Sequence, residues 1–369
     1  MKEEKKRILN MVEEGKITVD EALTLLEELE KSNKTMEEKQ KEIIGELSTV
    51  VHSEENHKNQ RTDNSYKTQS VKDKIFDFID SAFKKVKELD LDFNFGSSVD
   101  LSHIFYQADV NLQTVDIDIA NGKVKVIPWD QKDVRIECQA KVYRVEGQEE
   151  ARDIFLKNVL FSIEDERLRF LTEAKWIKLD AKIFIPKSLY HRLKIRMFNG
   201  PIETENLQVD DFNVKTANGK ILIEGITSHR VEAETANGPI FINRGAIDKL
   251  EAETINGAVK FDGTVQQAEI QAFNGNIVCS VNDDSCKEMD VKATTGSIDL
   301  YFPDQLALQG ILKTNLGSFK VDLEGSQVLE EKSEMVQKLL RFKPIVESTS
   351  ITSIAADTKT GTISIRKVK

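Results

Sequence analysis

Asn-Gly pairs recur through this chain at an almost constant interval, and that period restricts the fold more than any other feature. Asn199-Gly200, Asn218-Gly219, Asn237-Gly238, Asn256-Gly257 and Asn274-Gly275 follow one another at 19, 19, 19 and 18 residues. Thr295-Gly296 and Leu316-Gly317 continue the series at 21 and 21, and Thr360-Gly361 closes it 44 residues later. A fixed period with a shared turn signal marks a repeat architecture. Such architectures build long surfaces rather than single pockets.

Each unit reads apolar-x-apolar-x-Thr-x-Asn-Gly-x-apolar-x-apolar. Val214, Thr216, Ile221 and Ile223 carry it, as do Val231, Ala233, Thr235, Ile240 and Ile242, then Leu250, Ala252, Thr254, Val259 and Phe261. Asn-Gly between alternating strands is also a hairpin signal, but a series of hairpins has no reason to repeat the same residues every 19. A β-solenoid does: one coil cannot bury its own apolar face, and stacking buries it continuously. A meander or barrel is the competing geometry. In the solenoid, Gly200, Gly219, Gly238, Gly257, Gly275, Gly296, Gly317 and Gly361 are expected to supply positive φ at one corner of each coil. The asparagines are expected to serve the turn and to stack their amides. The small residue three before each glycine is expected to point inward.

Upstream, residues 1–32 read as a helical hairpin. Ile8, Leu9, Met11 and Val12 form one stripe, and Ala22, Leu23, Leu25, Leu26 and Leu29 another. Gly15 stands at a helix C-terminus. Thr18 and Glu21 form a capping box. Two helices this short bury too little to stand alone, so they are expected to pair with another protein, another copy or the rest of the chain. Residues 33–70 read as a polar linker, with room for a short helix around residues 36–51. Residues 71–95 carry an amphipathic helix with Phe76, Phe78 and Phe83 on it. That helix is read as a cap on the first coil; contact with a membrane surface by residues 71–91 is the alternative. Residues 101–369 form the solenoid, with helical insertions near 148–159 and 328–340. The fold class is therefore mainly β: a C-terminal β-solenoid, a small N-terminal helical hairpin and a linker helix.

The formal charge is −11 and spread evenly, with no polybasic half. Nucleic acid is thus not an expected partner. The three cysteines, Cys138, Cys279 and Cys286, form no CxxC pair, so a reduced compartment fits best. The opening MKEEKKRILNMVEEGK has no apolar core of a secretory signal, and no apolar run is long enough to span a membrane as a helix. The expected location is the cytoplasm, with the cell surface or membrane association by a route without a signal as the alternative.

No sequence pattern for catalysis is present: GxSxG, a phosphate loop and HExxH are all missing. His52, His57, His103, His191 and His229 lie apart, so no metal site is expected. Asp283, Asp284 and Cys286 share a loop that reads as a solvated turn. A glycan-cleaving β-helix would need carboxylates clustered on one face. Here Glu203, Glu232, Glu234, Glu251 and Glu253 recur with the repeat, as a solvated strand face would. No cofactor is expected.

The repeats VKTANGKILIEG, VEAETANGPIFI and LEAETINGAVKF resemble the bacterial putative-adhesin β-solenoid family, a domain of unknown function. ILNMVEEGKITVDEALTLLEEL resembles the bihelical SHOCT-like module that precedes this solenoid in Gram-positive bacteria. The resemblance implies a link to cell-envelope stress, including antimicrobial peptides, with no catalysis, no cofactor and no established binding residue. The resulting expectation is a non-enzymatic binding or scaffold protein. Its helical hairpin would engage a protein partner, or self-associate, through Ile8, Met11, Val12, Leu23 and Leu26. A surface adhesin or a glycan-active enzyme on a β-helix is the alternative.

Overall fold

The structure is a computed structural model and describes residues 2–48, 97–322, 324–334, 336–345 and 351–368. The linker beyond residue 48 and the helix expected at 71–95 lie outside the described residues. Two helices come first, α1 (Lys2–Glu13) and α2 (Val19–Ser48). Gly15 sits between them at φ +66°. Glu21 accepts hydrogen bonds from Thr18 N and Oγ1 at 2.7 and 2.9 Å, and Glu21 N donates back to Thr18 Oγ1. This closes the capping box. The second helix does not stop near residue 32. Leu25, Leu29, Met36, Ile43 and Leu47 continue one stripe at helical spacing, and packing against the solenoid holds the whole helix together.

The sheet begins with β1 (Ser98–Gln107), β2 (Thr114–Trp129) and β3 (Val134–Tyr143), followed by helix α3 (Gln148–Asn158). Then come β4 (Leu160–Glu164), β5 (Arg167–Thr172), β6 (Ile177–Pro186) and β7 (Leu189–Asn199). The regular coils run through β8 (Ile202–Asn218), β9 (Ile221–Asn237), β10 (Ile240–Asn256) and β11 (Val259–Asn274). They continue as β12 (Ile277–Val281), β13 (Glu288–Thr295) and β14 (Ile298–Pro303). The last strands are β15 (Ala307–Thr314), β16 (Phe319–Val321), β17 (Ser326–Ser333), β18 (Lys338–Pro344), β19 (Ile351–Thr358) and β20 (Ile363–Val368).

Successive coils pair in parallel and in register. Ile202, Ile221, Ile240, Val259, Ile277, Ile298 and Ile363 stack into one buried column. A second column is made by the threonines three before the corner glycine. Thr216, Thr235 and Thr254 are fully buried, and each donates its hydroxyl to the preceding coil's glycine carbonyl, Gly200, Gly219 and Gly238. A buried hydroxyl needs such a partner, and this one ties neighbouring coils together.

The corner glycines answer to stacking more than to backbone handedness. Gly219, Gly257, Gly275, Gly317 and Gly361 do not have positive φ, contrary to the sequence expectation; Gly200, Gly238 and Gly296 do. What they share is close approach. A Cβ on Gly219 would stand 1.9 Å from Gly200 O, and one on Gly238 2.0 Å from Gly219 O. The left-handed residues of the regular coils lie at a second corner instead, at Asn206, Gly225 and Arg244, where no single residue type marks the repeat.

Chain order and spatial order differ at both ends. β2 is the first coil in sequence, yet it lies between the β5–β6 coil and the β7–β8 coil. Likewise β19 and β20 slot between β13–β14 and β15–β16. Gly122 thereby precedes Gly200 in the glycine stack, and Gly361 stands between Gly296 and Gly317.

At the first end β3 covers β6 in antiparallel fashion, with β1 on β3 and β4 on β5. Helix α3 buries Ala151 and Phe155 there, beside Phe105. At the other end the stretch 328–340 is a β-hairpin rather than the expected helix. β17 and β18 pair with each other, and β18 pairs with β15. The open edge of β15 takes a strand, and Leu340 and Phe342 are buried by it. That edge outweighs the local helical spacing of Val328, Leu329, Val336, Leu339 and Leu340.

Candidate functional site

The corner edge of the solenoid carries two ladders side by side. In the first, asparagine amides stack. Asn199 donates to Asn121 Oδ1, Asn218 to Asn199, Asn237 to Asn218, Asn256 to Asn237 and Asn274 to Asn256, at 2.8–2.9 Å. Thr295 Oγ1 ends the series on Asn274 Oδ1. The second ladder is apolar and faces outward. Phe198, Ala217, Ala236, Ile255 and Phe273, each just before its asparagine, form a row. Strict alternation would leave this row wet, yet Ala217, Ala236 and Ile255 have no exposure.

Helix α2 is what covers it. Ile43 and Leu47 are buried against the row, with Met36 and Ile44 beside them. The helix descends the stack. Glu28 accepts from Asn315 Nδ2 at 2.8 Å, Lys39 pairs with Glu253 at 3.7 Å, and Glu46 meets Lys215 at 3.4 Å. Eighteen residues of helix rise about 27 Å. Six coil steps from Asn315 to Lys215 span about 29 Å. The two repeats match closely enough for one straight helix to meet coil after coil.

Next to this edge, the outward strand face is segregated by charge. Across the coils one row reads Asp118, Arg196, Lys215, Glu234, Glu253. The row beside it reads Asp116, Lys194, Asn213, Glu232, Glu251, Glu269. The middle of the face is acidic. Lys215 lies 3.0 Å from Glu232 and 3.1 Å from Glu234. Burial, aided by Glu232, raises the Glu234 carboxyl despite Lys215.

The first end of the face is basic. Here β2 runs between β5 and β7, and a groove of about 320 Å³ is lined by Arg167, Arg169, Arg192, Lys194 and Arg196 around Asp116 and Asp118. Arg167 contacts Asp116, and Arg196 contacts Asp118. Burial pushes the Asp118 carboxyl up to about 6 against the opposing pull of Arg196. Burial lowers Lys194, and the neighbouring Arg196 and Arg192 add to that. An even charge distribution along the sequence therefore hides a polybasic groove. The cations alternate within two short runs, Arg167/Arg169 and Arg192/Lys194/Arg196. That period-two pattern was the available signal, and the parallel insertion of β2 brings the runs together.

Residues 116–366 match the Toastrack DUF4097 family. The chain belongs to that family. Residues 3–34 match a SHOCT-like domain. The Toastrack chain is 47% identical over 366 residues to "Uncharacterized protein YvlB" of Bacillus subtilis (strain 168), covering 99% of each. Among solved structures it is similar to a "putative adhesin" of Parabacteroides distasonis, at 12% identity and a TM-score of 0.46. That match covers 73% of this chain and 98% of the other. A "putative adhesin" of Bacteroides fragilis matches at 13% identity and a TM-score of 0.44, with the same coverage. The Toastrack match starts in β2 and ends in β20, the two strands inserted between coils that are distant in sequence.

In this Toastrack protein the hairpin residues singled out from sequence are mostly occupied within the chain. Ile8 is fully buried, and Met11, Val12 and Leu26 pack in the same cluster with Leu316 and Val336. Leu23 alone of the five is exposed, and Val19, one helical turn away, is exposed with it. His52 and His57 lie outside the described residues; among those described the histidines stay apart, His103 packing on Phe105 while His191 and His229 face Asp210 and Asp248. Asp283 accepts two bonds from Ser285 within its own turn, and Cys286 is buried. Among the described residues no group of His, Cys, Asp and Glu is placed to hold a metal ion, and no helix is long and apolar enough to cross a membrane.

Proposed function

We propose that this chain is a non-catalytic binding protein that acts by protein–protein contact, with the α1–α2 hairpin as an exchangeable cover on the solenoid's corner edge. The observation that carries this reading is the apolar row Phe198, Ala217, Ala236, Ile255 and Phe273. A rigid β-solenoid has no internal need for an apolar outer edge, and here a helix of matching rise lies along it. Among the described residues the polar contacts that hold the helix are half-buried pairs spread along it, such as Lys39 with Glu253 and Glu46 with Lys215. The opposite side of α2 presents Val19 and Leu23 to solvent, where a partner can begin to engage the hairpin. We assign the activity to the response to cell-envelope damage, following the pairing of a SHOCT-like module with this solenoid. We assign it to the cytoplasm, where the free thiols of Cys138, Cys279 and Cys286 remain reduced.

The test is a photo-crosslinking amino acid at Leu23 or Val19 in cells, with and without envelope stress. A crosslink to a second protein species, strengthened by stress and weakened when the other exposed residue of the pair Val19 and Leu23 is replaced by Asp, is expected. Crosslinks confined to the chain itself under both conditions would refute the reading. A crosslinked dimer of this chain would redirect it to self-association.

A further inference from the structure

We propose that the basic groove over β2 is a binding site for a phosphate ester. The register sets the cations on both flanks of one strand. Arg167 and Arg192 flank Thr114, Arg169 and Lys194 flank Asp116, and Arg196 lies beside Asp118. Neighbouring strands are about 4.8 Å apart, so side chains of this length from β5 and β7 reach the same space above β2.

The groove holds more positive charge than its own carboxylates neutralise. Five cations face Asp116, Asp118 and Glu173 in a chain whose net charge is −11. Arg167 and Arg196 are engaged by Asp116 and Asp118, and Arg192 stands 3.8 Å from Asp211. Arg169 and Lys194 make no ion pair among the described residues, although they flank the same aspartate. Cations crowd together on a folded surface at an electrostatic cost, so such a cluster is retained where an anion relieves it.

The repeat does not require these residues. Further along the same two rows the positions are Glu232, Glu234, Glu251 and Glu253. The coil geometry accepts either sign, so the basic end is a property of this location rather than of the fold.

The donor set selects phosphate over carboxylate. The guanidinium fork of Arg169 and the ammonium of Lys194, converging from opposite sides of β2, offer more donors than two carboxylate oxygens can accept. A phosphate ester presents three or four oxygens in a tetrahedron. Asp116 and Asp118 hold the outer guanidiniums, leaving Arg169 and Lys194 to meet the ligand.

Calorimetric titration of the full chain with glycerol 3-phosphate, inorganic sulfate and glycerol tests the site. Flotation with vesicles of phosphatidylglycerol or phosphatidylcholine separates a soluble ester from a lipid headgroup. Glycerol 3-phosphate, or phosphatidylglycerol vesicles alone, should bind, and glycerol and phosphatidylcholine should not. Arg169→Gln and Lys194→Gln should each weaken binding about tenfold. Asp116→Asn, which adds net positive charge and frees Arg167, should tighten it. Lys249→Gln, outside the groove, should leave it unchanged. No binding of either phosphate source would overturn the proposal. So would binding that Arg169→Gln and Lys194→Gln leave intact, or that Lys249→Gln weakens equally.

Discussion

Asn237 donates its side-chain amide to Asn218 Oδ1 at 2.8 Å and accepts the amide of Asn256 in turn. Each rung is thus donor to one coil and acceptor for the next. Replacing Asn237 by Asp removes the donor and places a charge against Asn218 Oδ1. Asn237→Asp should cost about 1–3 kcal/mol, and Asn237→Ala somewhat less, because alanine adds no repulsion. Urea unfolding at neutral pH measures both. Equal stability of the two variants would mean that the ladder's polarity is immaterial.

Gly219→Ala isolates the stacking requirement, since Gly219 is not left-handed and any loss must come from contact. A Cβ there meets Gly200 O at 1.9 Å. The expected loss is about 3–5 kcal/mol. Gly147→Ala, at a position with nothing within 4 Å of the added carbon, should be near neutral. A mild effect at Gly219 would restore the view that these glycines serve only the turn.

The cover should be separable from the solenoid. Leu47 is fully buried between α2 and the apolar row. Leu47→Ala should weaken docking by about 2–5 kcal/mol. Hydrogen exchange should then rise across residues 19–48 while the amides of β8 to β11 keep their protection. Unchanged exchange in α2 would show that the helix is held by something other than this row.

Asp118 sets a pH signature. Its folded value is raised to about 6 by burial, while the unfolded carboxyl titrates near its ordinary value of roughly 3.9. Arg196 and Lys194 oppose the rise, and Glu173 adds to it. Between those two values the folded state binds more protons than the unfolded one, so stability from this group is greatest at low pH and falls as pH rises through about 6. Asp118→Asn cannot titrate. Relative to that variant, the wild-type chain should lose about 2–3 kcal/mol between pH 4 and 6.5 and then stay level. Paired denaturation curves across that range measure the difference. A flat difference would place the Asp118 titration elsewhere.

The sequence made the regular coils readable because Gly200 to Gly275 share one corner at one spacing, and every coil needs the same close approach. Gly122 obeys the same rule but stands outside the even spacing, because β3 to β6 and α3 separate it from Gly200 by 78 residues. Parallel pairing is blind to chain order, so nothing local places Gly361 between Gly296 and Gly317. The spacing of Val328, Leu329, Leu339 and Leu340 suits either period, and the free edge of β15 decides for the paired strands β17 and β18. The outward row from Phe198 to Phe273 was visible as an apolar residue before each asparagine. Its meaning required α2, whose matching stripe at Met36, Ile43 and Leu47 sits in a stretch otherwise polar enough to resemble a linker.

The placement of β19 and β20 has a consequence for how the molecule is made. Translation delivers β15, β16 and the hairpin before the layer they rest on exists. Until residues 351–368 leave the ribosome, β13 and β15 have no strand to share, and the outer coil has only its own hairpin for support. Completion of the stack therefore waits for β19 and β20, which enter as a keystone between two pieces already formed. A nascent chain that stops short of them would lack a middle course, and the defect would fall within the stack rather than at its tip.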